Sequence, residues 1–345
     1  MNRHQPHDLK QMQSVPLEGK ILMTKERIRQ WYEHWDGQVY VSFSGGKDST
    51  VLKHMVDSMY DDVPAVFVNT GLEYPEIQKF AMSQPNVVTV RPAMRFDEVV
   101  KKFGYPVIGK MQARYIRDLQ NASSKNEATV NLRLTGYNRK GQYCSTQKLA
   151  DKWIPLADAP FKISEQCCDV MKKAPMKKYE KESGRVPIIG TMADESTSRE
   201  KMWMRNGCNA FDKKNPSSQP MSFWTEQDVL HYIKKYNVPY CSVYGDIVAT
   251  DGSERIEGQL TTFDLLGDYD GTMLKTTECS RTGCIFCMFG CHLEKEPNRF
   301  QRLKETHPRQ YQYCIGGGEM ADGKWQPSKE GLGLSKVLDY IDVKY

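Results

Sequence analysis

The sequence lacks any apolar run long enough to cross a bilayer, and its opening, Met1-Asn2-Arg3-His4-Gln5-Pro6-His7-Asp8, contains no apolar signal core. These absences lead us to expect a soluble, non-secreted, cytoplasmic protein with no membrane partner. No internal repeat or low-complexity tract is visible, which argues against a solenoid or a disordered array. A large excess of either charge is also lacking: the net charge is +5 over 345 residues, and 26% charged residues is ordinary for a globular chain. Such a balance suits anionic ligands without demanding nucleic acid. The length allows one large or two ordinary domains.

Cysteine is not scarce. Ten are present, and without an export signal their clustering argues for metal or redox chemistry over structural disulfides. Cys167, Cys168, Cys208, Cys279, Cys284, Cys287 and Cys291 lie in or near tight groups, whereas Cys144, Cys241 and Cys314 stand alone and read as small buried hydrophobes.

The chain is organised around Val39-Tyr40-Val41-Ser42-Phe43-Ser44-Gly45-Gly46-Lys47-Asp48-Ser49-Thr50-Val51-Leu52. Val39 to Phe43 has the length and composition of a buried strand, and Val51, Leu52, Met55, Val56 and Met59 then keep a helical period. The glycines between them let the backbone approach a ligand, and the free N–H groups and positive dipole of the next helix face outward. Ser44 and Ser49 add hydroxyls and Lys47 a charge, so an anionic phosphate is the expected occupant. The spacing is not that of the Walker loop, which has four residues between its first glycine and its Gly-Lys pair. Ser44-Gly45-Gly46-Lys47-Asp48-Ser49 instead resembles the pyrophosphate loop (PP-loop) of the adenine-nucleotide α-hydrolase superfamily. That superfamily includes ATP pyrophosphatases and phosphoadenylyl-sulfate (PAPS) reductases.

The rest of the chain alternates strands and helices. A helix is expected from Thr24, capped by Thr24, with Ile28, Trp31, Tyr32 and Trp35 on a core face. Residues 1 to about 20 read as a loose or docking tail. Ala65 to Asn69 and Val87 to Val90 read as further strands, with a helix from Pro75 between them, which predicts a parallel sheet whose strand ends carry the ligand. Phe96 to Phe103 and Met111 to Leu119 look helical and Thr129 to Leu134 a strand. Arg114, Arg117, Arg133, Arg139 and Lys140 make that region basic, as a solvated face or as a surface for nucleic acid or an acidic substrate. Val186 to Gly190 reads as another buried strand. Thr225 caps a helix with Asp228 at the capping-box position. Lys304 to Pro308 and Gly316 to Gly318 are turn-like, and Leu334 to Ile341 suggests a last short helix.

Further segments carry the family resemblance, from about residue 24 to about residue 290. Asn69-Thr70-Gly71-Leu72-Glu73-Tyr74-Pro75-Glu76 is similar to the Asp-Thr-Gly-aromatic-Pro-Glu segment of PAPS reductases, and implies nucleotide contacts for Thr70 and Gly71. Cys167-Cys168-Asp169-Val170-Met171-Lys172-Lys173-Ala174-Pro175 resembles the Cys-Cys-x-x-x-Lys-x-x-Pro segment of the iron–sulfur members. By that resemblance Cys167 and Cys168 would bind a [4Fe–4S] cluster with Lys172 near cluster and substrate. Adjacent cysteines project about 100° apart on a helix, so they can share one cluster only at a helix end or distortion.

Thr191-Met192-Ala193-Asp194-Glu195-Ser196-Thr197-Ser198-Arg199 is similar to the family's Gly-x-Arg-x-x-Glu-Ser-x-x-Arg, which makes Glu195, Ser196 and Arg199 candidates to hold the nucleotide or its anionic tail. Met192 replaces the family's first arginine and removes one anion contact. Alone, Glu195 and Ser196 could equally be capping residues. In Glu278-Cys279-Ser280-Arg281-Thr282-Gly283-Cys284-Ile285-Phe286-Cys287-Met288-Phe289-Gly290-Cys291, two readings compete. Cys279, Cys284, Cys287 and Cys291 could close a four-thiolate zinc or iron–sulfur site. The resemblance instead completes the cluster of Cys167 and Cys168 with Cys284 and Cys287, leaving Cys208 and Cys291 in reserve.

The implied fold is α/β: a parallel-sheet, Rossmann-like nucleotide-binding domain over residues 24–245, after a tail of residues 1–23, with a cysteine-rich region over 246–345 closing the cluster site. Two enzyme classes share these parts. Sulfonucleotide reductases form sulfite from APS or PAPS with a cysteine on a C-terminal Glu-Cys-Gly-x-His segment, but this chain ends Leu338-Asp339-Tyr340-Ile341-Asp342-Val343-Lys344-Tyr345, and Cys314 is the nearest substitute. The sulfurtransferase class uses ATP to adenylate an acceptor that sulfur then attacks, and needs Mg²⁺ but no terminal cysteine. There, Lys47, Asp48 and Lys172 would be catalytic, with Asp48 helping to place Mg²⁺. The missing tail cysteine favours this class. A nucleotide-binding redox sensor without turnover is a third reading. Implied partners are an adenine nucleotide, a sulfur or electron donor such as a cysteine desulfurase or thioredoxin-like protein, and nucleic acid as a sulfur acceptor.

Overall fold

The apolar run before the glycines forms strand β1, Val39–Phe43, with every side chain but that of Ser42 buried. The computed structural model describes residues 4–250 and 272–345. These fall into two units, each discontinuous in sequence. The first comprises the chain up to Asn69, Glu73–Val90 and Met176–Thr282; the second comprises Thr70–Leu72, Arg91–Pro175 and Gly283–Tyr345.

In the first unit, β1 pairs in parallel with β2, Ala65–Val68, which pairs in parallel with β3, Val87–Val90. On its other side β1 pairs in parallel with β4, Val186–Ile189. Two short strands, β5 (Asn209–Ala210) and β6 (Ser217–Ser218), complete the sheet in the order β3-β2-β1-β4-β6-β5, and only the last pair is antiparallel. A central parallel strand is covered on both faces, which is why β1 is apolar without alternation. The fold is therefore the parallel α/β architecture that the strand and helix alternation implies.

Helix α1 is Pro6–Gln13 and helix α2 is Leu17–His34. The expected loose tail is thus helical: Leu9, Leu17 and Ile21 are buried in the same core as Trp31 and Val41. Thr24 does not cap α2 but sits fully buried within it, where its Oγ1 accepts from Trp224 Nε1 at 2.8 Å. Lys20, also buried, pairs with Asp228 Oδ2 at 2.7 Å. Polar residues with tertiary partners broke the apolar period that would have announced the helix start. Thr225 and Asp228 do form a reciprocal capping box.

The second unit is mainly short helices. Thr129 to Leu134 is not a strand but part of the helix Glu127–Thr135. Val130, Leu132 and Leu134 alternate as in a strand, yet Arg133 is the buried residue, paired with Asp118 at 3.0 Å and lying over the Tyr115 ring. The expected turn at Lys304 to Pro308 is narrower: helices Arg299–Thr306 and Pro308–Ile315 leave only His307 between them. The last helix is Leu334–Tyr340, with Leu334, Val337 and Leu338 buried.

Candidate functional site

The glycine loop runs from the end of β1 into helix α3, Lys47–Asp57, with Gly46 as its N-cap. Gly45 has φ +74°, and an added Cβ would lie 3.1 Å from the Ile77 carbonyl oxygen, so the turn requires glycine. Gly190, at the end of β4, packs against the same turn: a Cβ there would meet the Asp48 carbonyl oxygen at 3.2 Å. The two serines brace the loop, with their hydroxyls 3.0 Å apart and Ser49 Oγ donating to the Gly46 carbonyl at 2.9 Å.

The Lys47 N–H, the first orphan donor of α3, donates to the Tyr244 hydroxyl at 3.1 Å, and that hydroxyl lies 2.8 Å from Thr282 Oγ1. Lys47 Nζ donates to the Ser280 carbonyl at 2.9 Å and pairs with Glu226 Oε1 at 3.0 Å. Asp48 Oδ1 is buried with no hydrogen-bond partner among the described residues. Burial pushes its carboxyl up, against the pull of Lys47, Arg281 and Arg199. That oxygen lies 3.9 Å from Lys47 Nζ, and a buried carboxylate oxygen that accepts no hydrogen bond fits a Mg²⁺ ligand.

Arg199 lies in the helix Thr197–Asn206, whose cap is Ser196: Ser196 Oγ accepts from the Arg199 N–H at 3.3 Å. The Glu195 carboxylate pairs with the Arg199 guanidinium, accepts from Arg281 Nη2 at 2.5 Å and accepts from the Met192 N–H at 3.0 Å. Burial, and then the Arg281 charge, lower the Arg199 guanidinium from its ordinary value. Lys47, Asp48, Arg199 and Arg281 thus belong to one charged group at the N-terminus of α3.

In the second unit, Cys167, Cys168, Cys284 and Cys287 line one cavity together with Leu72, Phe96, Pro106, Met171 and Lys172. Cys167 and Cys168 open a helix whose first full turn, Asp169–Lys173, is a π-helix, with their Sγ atoms 4.0 Å apart. This is the helix-end distortion that adjacent thiols need in order to face one ligand. The Cys167 thiol, hydrogen-bonded to Cys168, pushes the Cys168 thiol down, helped by the ammonium groups of Lys110 and Lys172. The same bond, with burial, pushes Cys167 up. Burial raises Cys287 as well. Among the described residues no three His, Cys, Asp or Glu converge on a single metal ion. Four thiols around an apolar cavity suit a soft iron–sulfur cluster, which anchors its ligands on separate irons.

Thr70 and Gly71, expected beside the nucleotide, belong to the second unit, in a turn where Thr70 Oγ1 accepts from the Leu72 N–H at 3.1 Å and the Leu72 carbonyl accepts from Ile285 N at 2.8 Å. Cys208 and Cys279 belong to the first unit. Cys291 is buried on a short turn, with its thiol pushed up to about 12 by burial. Sequence reasoning missed Tyr244, Glu226, Arg281, Thr282 and Lys110. Arg281 and Thr282 lie inside a segment read only for its thiols, and Glu226 inside a helix read as structural; nothing in the sequence marked Tyr244 or Lys110.

Two uncharacterized proteins of Methanocaldococcus jannaschii resemble the chain. One is 34% identical over 86 residues, which is 23% of this chain and 21% of the relative. The other is 26% identical over 221 residues, 63% of this chain and 35% of the relative. The chain spans about a third or less of the length of these curated relatives. Among solved structures, a phosphoadenylyl-sulfate reductase from Candida auris in a phosphate complex is 16% identical, with a TM-score of 0.36 over 64% of this chain and 82% of that one. The U34-tRNA thiolase NcsA from Methanococcus maripaludis, with its [4Fe-4S] cluster, is 15% identical, with a TM-score of 0.33 over 65% and 66%. The glycine loop, the Glu195 segment and all four cavity thiols fall inside residues 38–106 and 87–288, which match the phosphoadenosine phosphosulfate reductase domain, and the chain belongs to that family.

Proposed function

We propose that the chain is an ATP-dependent sulfurtransferase: it binds ATP at the glycine loop, adenylates an acceptor and exchanges the adenylate for sulfur. In the first step an acceptor oxygen attacks the α-phosphorus, the bond to the bridging oxygen breaks, and pyrophosphate leaves. Ser44, Ser49, Lys47 and the N-terminal N–H groups of α3 hold that leaving group, and Asp48 helps to place Mg²⁺. In the second step the outer sulfur of a persulfide on a donor such as a cysteine desulfurase attacks the adenylated carbon and displaces AMP, and a thioredoxin-like dithiol then cleaves the S–S bond, leaving sulfur on the acceptor, the donor thiol free and the dithiol oxidised to a disulfide. Cys167, Cys168, Cys284 and Cys287 would hold a [4Fe–4S] cluster, which when bound supplies the site that carries or presents sulfide. Lys172 and Lys110 keep positive charge beside Cys168 and favour its thiolate. The proposed acceptor class is nucleic acid and the proposed location the cytoplasm.

The observation that carries the choice is the state of Cys314. Cys314 is fully buried in the helix Pro308–Ile315, with its thiol pushed up by burial, so it is a poor nucleophile for a sulfonucleotide. The second reading, APS or PAPS reduction to sulfite, is favoured by the family's own description. Anaerobically purified, iron-replete protein separates the two. Acceptor-dependent pyrophosphate release from ATP supports sulfur transfer, and sulfite release from APS or PAPS with a reductant supports reduction. Absence of both leaves the redox sensor.

A further inference from the structure

The geometry points to Arg281 as a binding residue for the oxyanion end of the nucleotide, supplying a second guanidinium to the anion site beside Arg199. This deepens the proposed nucleotide site and rests on it.

Arg281 and Arg199 come from distant stretches and meet on one carboxylate, that of Glu195. Glu195 is held in turn by the Met192 N–H, so the carboxylate is a fixed post. Met192 itself is buried and carries no charge, so the positive charge at this carboxylate comes from Arg199 and Arg281. Each guanidinium has five N–H donors, and one shared carboxylate cannot engage them all. The two arginines and Glu195 leave one positive charge in excess, and the Arg281 side chain is still 55% exposed. Two planar forks with donors to spare, next to a helix N-terminus, match a tetrahedral oxyanion.

The strap that carries Arg281 is fastened to the glycine loop itself. Ser280 accepts from Lys47 Nζ through its carbonyl, and Thr282 bonds the Tyr244 hydroxyl that caps the Lys47 N–H. An added Cβ at Gly46 would lie 3.2 Å from that hydroxyl and 3.3 Å from Thr282 Oγ1. Arg281 is therefore placed by contacts to the anion loop on one side and to the Arg199 helix on the other. Arg281 and Arg199 both bear electrostatically on Asp48, at the start of α3.

The test is calorimetric binding of inorganic pyrophosphate, of ATP with Mg²⁺, and of adenosine to the full chain and to Arg281→Ala and Arg281→Lys, with thermal melting to check folding. Arg281→Ala should weaken pyrophosphate roughly tenfold or more, the equivalent of one charge-assisted hydrogen bond, and leave adenosine unchanged. Arg281→Lys should recover part of the loss, because it restores charge without the fork. Unchanged pyrophosphate affinity in Arg281→Ala overturns the inference. So does an equal loss for adenosine, which would mean that Arg281 only shapes the strap. A wild-type chain that binds neither pyrophosphate nor ATP overturns the nucleotide site as well.

Discussion

The two chemical centres are built in opposite ways. The glycine loop is a run of six adjacent residues leading from β1 into α3, shaped by backbone conformation and by short-range hydrogen bonds such as that from the Ser44 N–H to Ser49 Oγ at 3.2 Å. The thiol cavity is made of side chains from the turn at Leu72, the π-turn after Cys168 and the segment at Cys284 to Cys287. Backbone chemistry needs only a local conformation, which neighbouring residues can dictate. Side-chain chemistry from remote segments exists only once the chain has folded, so its ligand set depends on every element between them. The first centre should therefore fail by local strain or loss of one charge, and the second by loss of any single member.

The sharpest break is a double dissociation. Cys167→Ala and Cys284→Ala should each lose the iron of anaerobically purified protein while pyrophosphate binding is kept, whereas Cys279→Ala should keep its iron; iron and sulfide analysis reads this directly. Iron retained in Cys167→Ala but lost in Cys279→Ala would reassign the ligands to the local cysteine run. Next in size is damage to the scaffold of the first unit alone. Asp228→Ala strands the buried Lys20 ammonium and should cost about 3–5 kcal/mol in urea unfolding. An equally large loss of iron at low denaturant would show that the two centres do not fail separately.

In the loop, Lys47→Ala removes a charge-assisted contact of about 1.5–3 kcal/mol, so pyrophosphate binding should fall roughly ten- to a hundredfold with iron unchanged. The smallest effect concerns pH. His54 in α3 stands 2.9 Å from the Tyr232 hydroxyl, and burial holds its imidazole below the ordinary 6.5. The unfolded chain then takes up that proton more readily than the folded one. The stability that neutral His54 contributes is present above pH 6.5 and lost as pH falls below it. His54→Gln should flatten this part of the unfolding profile between pH 7.5 and 5.5, while iron content follows the wild type. A profile unchanged by the substitution would remove His54 from the account.

What could be read in advance follows the same division. The strands at Val39, Ala65 and Val186 were legible because buried parallel strands are apolar throughout, the half-exposed edge strand at Val87 because it is β-branched throughout, and the Thr225 to Asp228 cap because it is local. Helix α2 was read short because Lys20 and Thr24 look exposed in sequence but are buried on partners some two hundred positions away. The Thr129 to Leu134 stretch was misread because burying Arg133 requires Asp118, and pairing of that kind has no signature in a hydrophobic pattern. Arg281 went unnoticed for the same reason: its meaning lies in Glu195.

The sequence by itself determined the glycine turn into α3, the parallel α/β alternation and a supply of clustered thiols, since each is set by residues within a few positions of one another. Only the tertiary structure decided which thiols share a cavity, that Tyr244 caps the Lys47 N–H, and that two remote arginines converge on Glu195. The physical reason is that hydrogen-bond and turn preferences act along the chain, whereas a ligand set or an ion triad is a matter of distance, and distance between remote residues is fixed by packing.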